Sequence, residues 1–175
     1  MLSSSGLILL RLIHIVVGVS WAGAVVFIAT FLLPTMRAVG PAAGPVMGHL
    51  TQVRKLPLYL MAGVLITVFS GLALYWHDSA GFSSAWMHSG PGKTFGLGAA
   101  LGIIVAIMGM TINSPTAKKL GALGTVVYAS GGPPTAAQAA EIQRLQDRLA
   151  GAMKVAAVLI VLATAAMAVA RYVPA

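Results

Sequence analysis

Four stretches of the chain, roughly 7–33, 57–77, 94–113 and 152–172, are apolar almost without interruption, and each is long enough to cross the hydrocarbon of a bilayer. A crossing takes about 20 residues as a helix, which satisfies every backbone N–H and C=O internally where no water can do so. The chain is therefore expected to be all-α: an integral membrane, four-helix transmembrane bundle forming a single domain over 1–175. With 58% hydrophobic and only 8% charged residues, it cannot present the polar surface of a water-soluble domain.

Local signals set the expected ends. The first run stops at Pro34 with Arg37 just beyond, and the second opens at Pro57 directly after Arg54 and Lys55. The third runs from Lys93 to the Asn113-Ser114-Pro115 break, and the fourth closes with Arg171. The segment 120–130 is apolar, too short to cross and holds two glycines, which predicts a separate piece at the inner interface. Before the fourth crossing, Thr135 and Gln138 have the Thr-x-x-Gln form of a capping box. From there Ile142, Leu145, Leu149 and Ala152 share one stripe, with Glu141, Arg144, Asp147 and Arg148 opposite, predicting an amphipathic cytoplasmic extension that runs unbroken into the last helix.

The net charge of +8 does not point to nucleic acid, because the eleven basic residues lie mostly in the connections between apolar runs. Arg37, Arg54 and Lys55 fall after the first crossing, and Lys118, Lys119, Arg144, Arg148 and Lys154 around the approach to the fourth; the connection between the second and third carries only Lys93 at its edge. The positive-inside rule then predicts a multi-pass protein of the cell inner membrane, surrounded by lipid, with both termini extracytoplasmic. The leader Met-Leu-Ser-Ser-Ser-Gly has no basic n-region, so the first run is read as a retained helix rather than a signal peptide.

Absence of cysteine excludes thiolate nucleophiles, iron–sulfur clusters, disulfides and covalently attached c-type haem. Only three carboxylates, Asp78, Glu141 and Asp147, are present, too few and too scattered for paired-carboxylate catalysis or a carboxylate relay through lipid. Small residues at four-residue spacing, Gly92 and Gly96, Gly98 and Gly102, Gly63 with Thr67 and Gly71, and Gly18 with Ala22, mark faces for close helix packing, within the bundle, around a flat macrocycle or between copies in a homo-oligomer.

His14 is the most informative side chain. An imidazole inside an apolar crossing costs free energy without a partner or ligand, which makes it a functional candidate. Arg11 stands one turn toward the outer surface on the same side, and Gly18, Trp21 and Ala22 continue that face inward. Against such a face a b-type haem would take an axial nitrogen from His14, room for its ring at Gly18 and a propionate contact from Arg11. A histidine hydrogen-bonded to a neighbouring helix accounts for the same residue without any ligand.

The expected topology gathers Trp76, His77, Asp78, Trp86, Met87, His88 and Lys93 at the same end. Trp76 and Trp86 read as interface anchors. His77 or His88 could give a second imidazole or, with His14 and Met87, a soft site suited to copper. Lys93 reads either as a side chain reaching the headgroups or as a contact to a propionate or substrate. His49, beyond the opposite end of the first run, reads as solvated.

These pieces resemble the superfamily of small four-helix membrane proteins that includes the HemJ-type protoporphyrinogen oxidases and the CopD copper-resistance membrane domain. The resemblance lies in Leu12-Ile13-His14-Ile15-Val16-Val17-Gly18-Val19-Ser20-Trp21, in the basic pair Arg54-Lys55, and in Ser84-Ala85-Trp86-Met87-His88 leading toward Lys93. It implies haem- or porphyrin-binding, with His14 and Lys93 in the functional positions of a membrane oxidoreductase; in this chain Ser89-Gly90-Pro91-Gly92 intervenes before Lys93. Three functions stay open on the sequence: a haem b protein with a redox or porphyrin-oxidising role, a CopD-like copper-handling protein, and a non-catalytic membrane subunit.

Overall fold

A computed structural model of the chain describes residues 3–174, the Pro41 side chain excepted; the first two residues of the leader lie outside the described residues. Four helices are long and apolar enough to cross a membrane: Ser4–Ala38, Leu56–Asp78, Gly90–Ala129 and Ala136–Tyr172. The protein is thus an all-α, multi-pass membrane bundle. The first helix packs most heavily on the second and the third on the fourth, with lighter contacts from first to fourth and from second to third, so neighbours in sequence are neighbours around the bundle.

The buried core is built from Trp21, Val25, Val64, Val105, Met153 and Ile160 together with alanines such as Ala106, Ala156 and Ala157. Many of the larger aliphatic and aromatic side chains, among them Ile8, Val16, Phe69 and Val158, point outward. Lipid is as apolar as leucine, so helix association gains nothing from hiding these groups; close backbone approach through small residues does the packing.

The prolines expected to end helices do not. Pro34 follows a π turn at Ile28–Leu32, in which Leu33 N–H reaches back five residues to the Ile28 carbonyl. Pro115 follows a second π turn at Gly109–Asn113, closed by Ser114 N–H on the Gly109 carbonyl. Both sites read Thr-x-x-x-Pro, and the hydroxyls of Thr30 and Thr111 donate to the carbonyls of Val26 and Ile107 at 2.7 and 2.8 Å. Widening the helix by one residue lets each proline open a new helical segment where its missing N–H is harmless, while an abrupt stop would expose backbone groups to lipid. The apolar segment 120–130 is accordingly not a separate piece: most of it lies in Ser114–Ala129, which continues the third helix and packs against the beginning of the fourth.

The fourth helix begins as expected. Thr135 Oγ1 accepts from Gln138 N–H at 3.3 Å and Gln138 Oε1 accepts from Thr135 N–H at 2.9 Å, a complete capping box. Leu145 and Leu149 are buried, while Arg144, Asp147 and Arg148 are exposed. Asp147 also accepts from Arg37 at 2.9 Å, tying this extension to the end of the first helix.

Candidate functional site

Four residues of the first helix do share a face, and the second helix fills it. Arg11 donates to Asp78 at 3.2 Å, the last residue of the second helix, with the two side chains 39% and 27% exposed. One turn further in, His14 lies in the notch at Gly71: a Cβ added there would sit 2.8 Å from His14 Cε1. The room at Gly18 is taken by Thr67, whose Cγ2 stands 3.3 Å from where a Gly18 Cβ would be. Trp21 occupies the next notch, its own Cβ 3.2 Å from a Cβ built on Gly63. His14 and Trp21 of one helix thus meet Gly71 and Gly63 of the other, and Gly18 meets Thr67, so that a small residue stands at each contact as close antiparallel packing requires.

His14 Nδ1 lies 3.0 Å from the Thr67 carbonyl and 3.1 Å from Ser70 Oγ. A carbonyl only accepts, so Nδ1 carries the hydrogen, and in the neutral ring Nε2 keeps its lone pair. Ser70 Oγ in turn donates to the Ile66 carbonyl at 2.6 Å, leaving its lone pairs turned to the imidazole. The ring is therefore fixed in tautomer and orientation by the second helix. Beside it, Thr67 Oγ1 is buried and lacks a hydrogen-bond partner among the described residues.

The connection from second to third helix reverses tightly. Ala80, Gly81 and Phe82 all have positive φ, and the fully buried Ser79 holds the turn by donating to the Trp76 carbonyl and accepting from Phe82 N–H at 2.9 Å. A short helix, Ser84–Met87, follows, and Ser89 caps the third helix by accepting from Gly92 N–H at 3.2 Å. Gly92 must be glycine, because a Cβ there would run into the Trp86 carbonyl; Gly90 is hemmed in the same way by Pro174. Trp86 is thereby held parallel to Phe95, ring centroids 6.5 Å apart at 11°, and edge-on to Tyr75.

These elements enclose an open cleft of about 510 Å³. Arg11, Asp78 and His77 line one part of it; Trp86, Pro91, Phe95 and Arg171 line the rest. His77 Nδ1 is 3.3 Å from Asp78 Oδ1, so one carboxylate serves both a guanidinium and an imidazole. His88 instead donates from Nδ1 to the Ser84 carbonyl at 2.8 Å and is exposed, as are Met87 and Lys93, and Lys93 does not line the cleft. Among the described residues no three His, Cys, Asp or Glu side chains come together as a metal site, so His14, His77 and His88 do not converge. His49 is exposed beyond the other end of the first helix.

Sequence reasoning placed Arg11, His14, Gly18 and Trp21 on one face and gathered Asp78 at the same end without pairing it with Arg11; two members of the cleft, Phe95 and Arg171, it missed. Phe95, one turn into the third helix, and Arg171, at the end of the fourth, carry no local signal tying them to Arg11; only the antiparallel order of the helices does. No family model, curated protein or solved structure matches the chain.

Proposed function

We propose that this chain is a b-type haem-binding membrane protein with a redox or porphyrin-oxidising role, HemJ-like in kind, in which His14 Nε2 would hold the haem, with the macrocycle off the Gly18 face that Thr67 already fills. The observation that supports it is the hydrogen bonding of the other ring nitrogen. A ligating histidine characteristically donates its second N–H to a carbonyl, which fixes the tautomer and raises the basicity of the free nitrogen, and Thr67 O accepts such a bond from His14 at 3.0 Å. One imidazole is enough for a haem iron, whereas a copper site would draw on several ligands, and the histidines named for it stand apart. This places haem ahead of a CopD-like copper-handling role.

When bound, haem supplies a reversible one-electron couple. The chain supplies the fixed imidazole, a low-dielectric surround from the packed first and second helices, and a guanidinium at Arg11 whose charge is already shared with Asp78. Lys93, exposed at the start of the third helix at the same end, is the position the resemblance assigns to the oxidase step.

Protein purified in detergent from haem-replete cells is expected to show a reducible Soret and α-band spectrum that His14→Ala abolishes. Lys93→Gln should keep the spectrum and lose protoporphyrinogen oxidation. A colourless preparation overturns the reading: bound copper lost on His14→Ala would then favour the copper role, and a metal-free protein that co-purifies with partners would favour a non-catalytic subunit.

A further inference from the structure

The cleft has a charge pattern that the haem reading does not use. Arg11 is engaged by the carboxylate of Asp78, which His77 also approaches, while Arg171 makes no ion pair among the described residues. Among the described residues the cleft therefore holds two guanidiniums against one carboxylate, and its lining also includes the stacked rings of Trp86 and Phe95. At about 510 Å³ and open on its outer side, the cleft is wide enough for more than an ion alone.

Its depth is marked by the aromatic side chains around it. Trp76, Phe82 and Tyr172 are all exposed at this end of the bundle, with Trp76 and Phe82 stacked at 6.0 Å. Exposed tryptophan and tyrosine collect at the level of lipid headgroups, where one end of a side chain is apolar and the other wet. A molecule reaching this cleft at that depth meets water and guanidinium on one side and aromatic faces on the other.

We propose that the cleft binds an oxyanionic amphiphile, its phosphate or carboxylate head held by Arg171 beside the Arg11–Asp78 pair and its apolar body lying on Trp86 and Phe95. The fork of a guanidinium matches both oxyanions, so the head chemistry is shared by an anionic phospholipid of the surrounding leaflet and by a free anionic amphiphile. The second cation is what selects charge: Asp78 neutralises one guanidinium and would repel an anion unless another remained. The proposal needs no haem and can fail or stand independently of it.

The test uses the full chain, delipidated in an uncharged detergent and titrated with short-chain phosphatidylglycerol, short-chain phosphatidylcholine, laurate or inorganic phosphate while tryptophan fluorescence and melting temperature are followed. Phosphatidylglycerol is expected to bind about tenfold more tightly than phosphatidylcholine, a difference of about 1.4 kcal/mol. Arg171→Gln should remove that preference, Arg171→Lys should keep part of it, and Arg54→Gln, at the opposite end, should leave it intact. Laurate binding as tightly as phosphatidylglycerol would identify the free amphiphile as a sufficient ligand; laurate binding much more weakly would assign the site to the phospholipid. The proposal is overturned if both phospholipids bind alike, if Arg54→Gln weakens binding as much as Arg171→Gln, or if inorganic phosphate binds as tightly as the amphiphiles. An Arg171→Gln protein with an unchanged melting temperature in phosphatidylcholine shows that lost preference is not lost folding.

Discussion

Replacing Gly71 by alanine tests the seam between the first two helices and the fixing of His14 in one experiment. The new Cβ would lie 2.8 Å from His14 Cε1 and 3.3 Å from Nδ1. Carbon atoms are comfortable at about 3.5 Å or more, so the ring must retreat by roughly 0.7 Å. The retreat carries it away from the second helix, which bears both of its partners, Thr67 O at 3.0 Å and Ser70 Oγ at 3.1 Å. A bond lost this way costs about 1 kcal/mol, and a donor left unsatisfied in a dry seam about 1–3 kcal/mol. Alanine returns up to about 1 kcal/mol through its better helix propensity. The net expectation is a loss of about 1–3 kcal/mol, read by reversible unfolding in mixed micelles, together with a shifted Nδ1–H resonance of His14. Gly102→Ala is the matched control, since nothing lies within 4 Å of its added Cβ; it should be neutral or slightly stabilising. A Gly71→Ala protein as stable as Gly102→Ala, with an unmoved imidazole resonance, would refute the reasoning.

Asp78→Asn and Arg11→Gln should each destabilise by about 1 kcal/mol, and the double variant should show a coupling of similar size, the value for a half-exposed pair; additive effects in the same unfolding assay would mean that the pair contributes nothing. Gly92→Ala should be more damaging than Gly96→Ala, whose Cβ meets the Tyr75 side chain, because the Gly92 Cβ meets the Trp86 backbone carbonyl rather than a side chain that can swing aside; the expected outcome is loss of monodisperse protein on size exclusion. Thr135→Ala removes the acceptor for Gln138 N–H and should cost the fourth helix about 1 kcal/mol at its start, visible as faster hydrogen exchange over the first turns with no change near Arg171.

Much of this architecture is legible in the chain because lipid enforces it. Run length gives the four crossings, and the Thr135–Gln138 spacing gives the start of the fourth helix to the residue. The prolines mislead for a physical reason: in water Pro34 and Pro115 would end their helices, whereas here a π turn keeps the backbone bonded through each. The spacing of Arg11, His14, Gly18 and Trp21 gives a face but cannot say what covers it. A flat macrocycle and a helix carrying Gly63, Thr67 and Gly71 ask for the same small residues, and the second helix is what lies there. Arg171 and Phe95 were invisible because the cleft joins the end of one helix to the start of another, a relation set by the order of packing rather than by any local pattern.

The length of the last two helices has a mechanical consequence. Forty residues in the third, at about 1.5 Å each, reach roughly 60 Å, about twice the hydrocarbon thickness. The fourth runs from Ala136 to Val169 without an interruption, and a 3-10 turn at Ala170–Tyr172 then carries Arg171. The protruding hairpin and the walls of the cleft are thus opposite tips of the same two rods. A force applied to the protruding hairpin is expected to travel along the fourth rod as far as Val169, the last helical residue before the turn that carries Arg171.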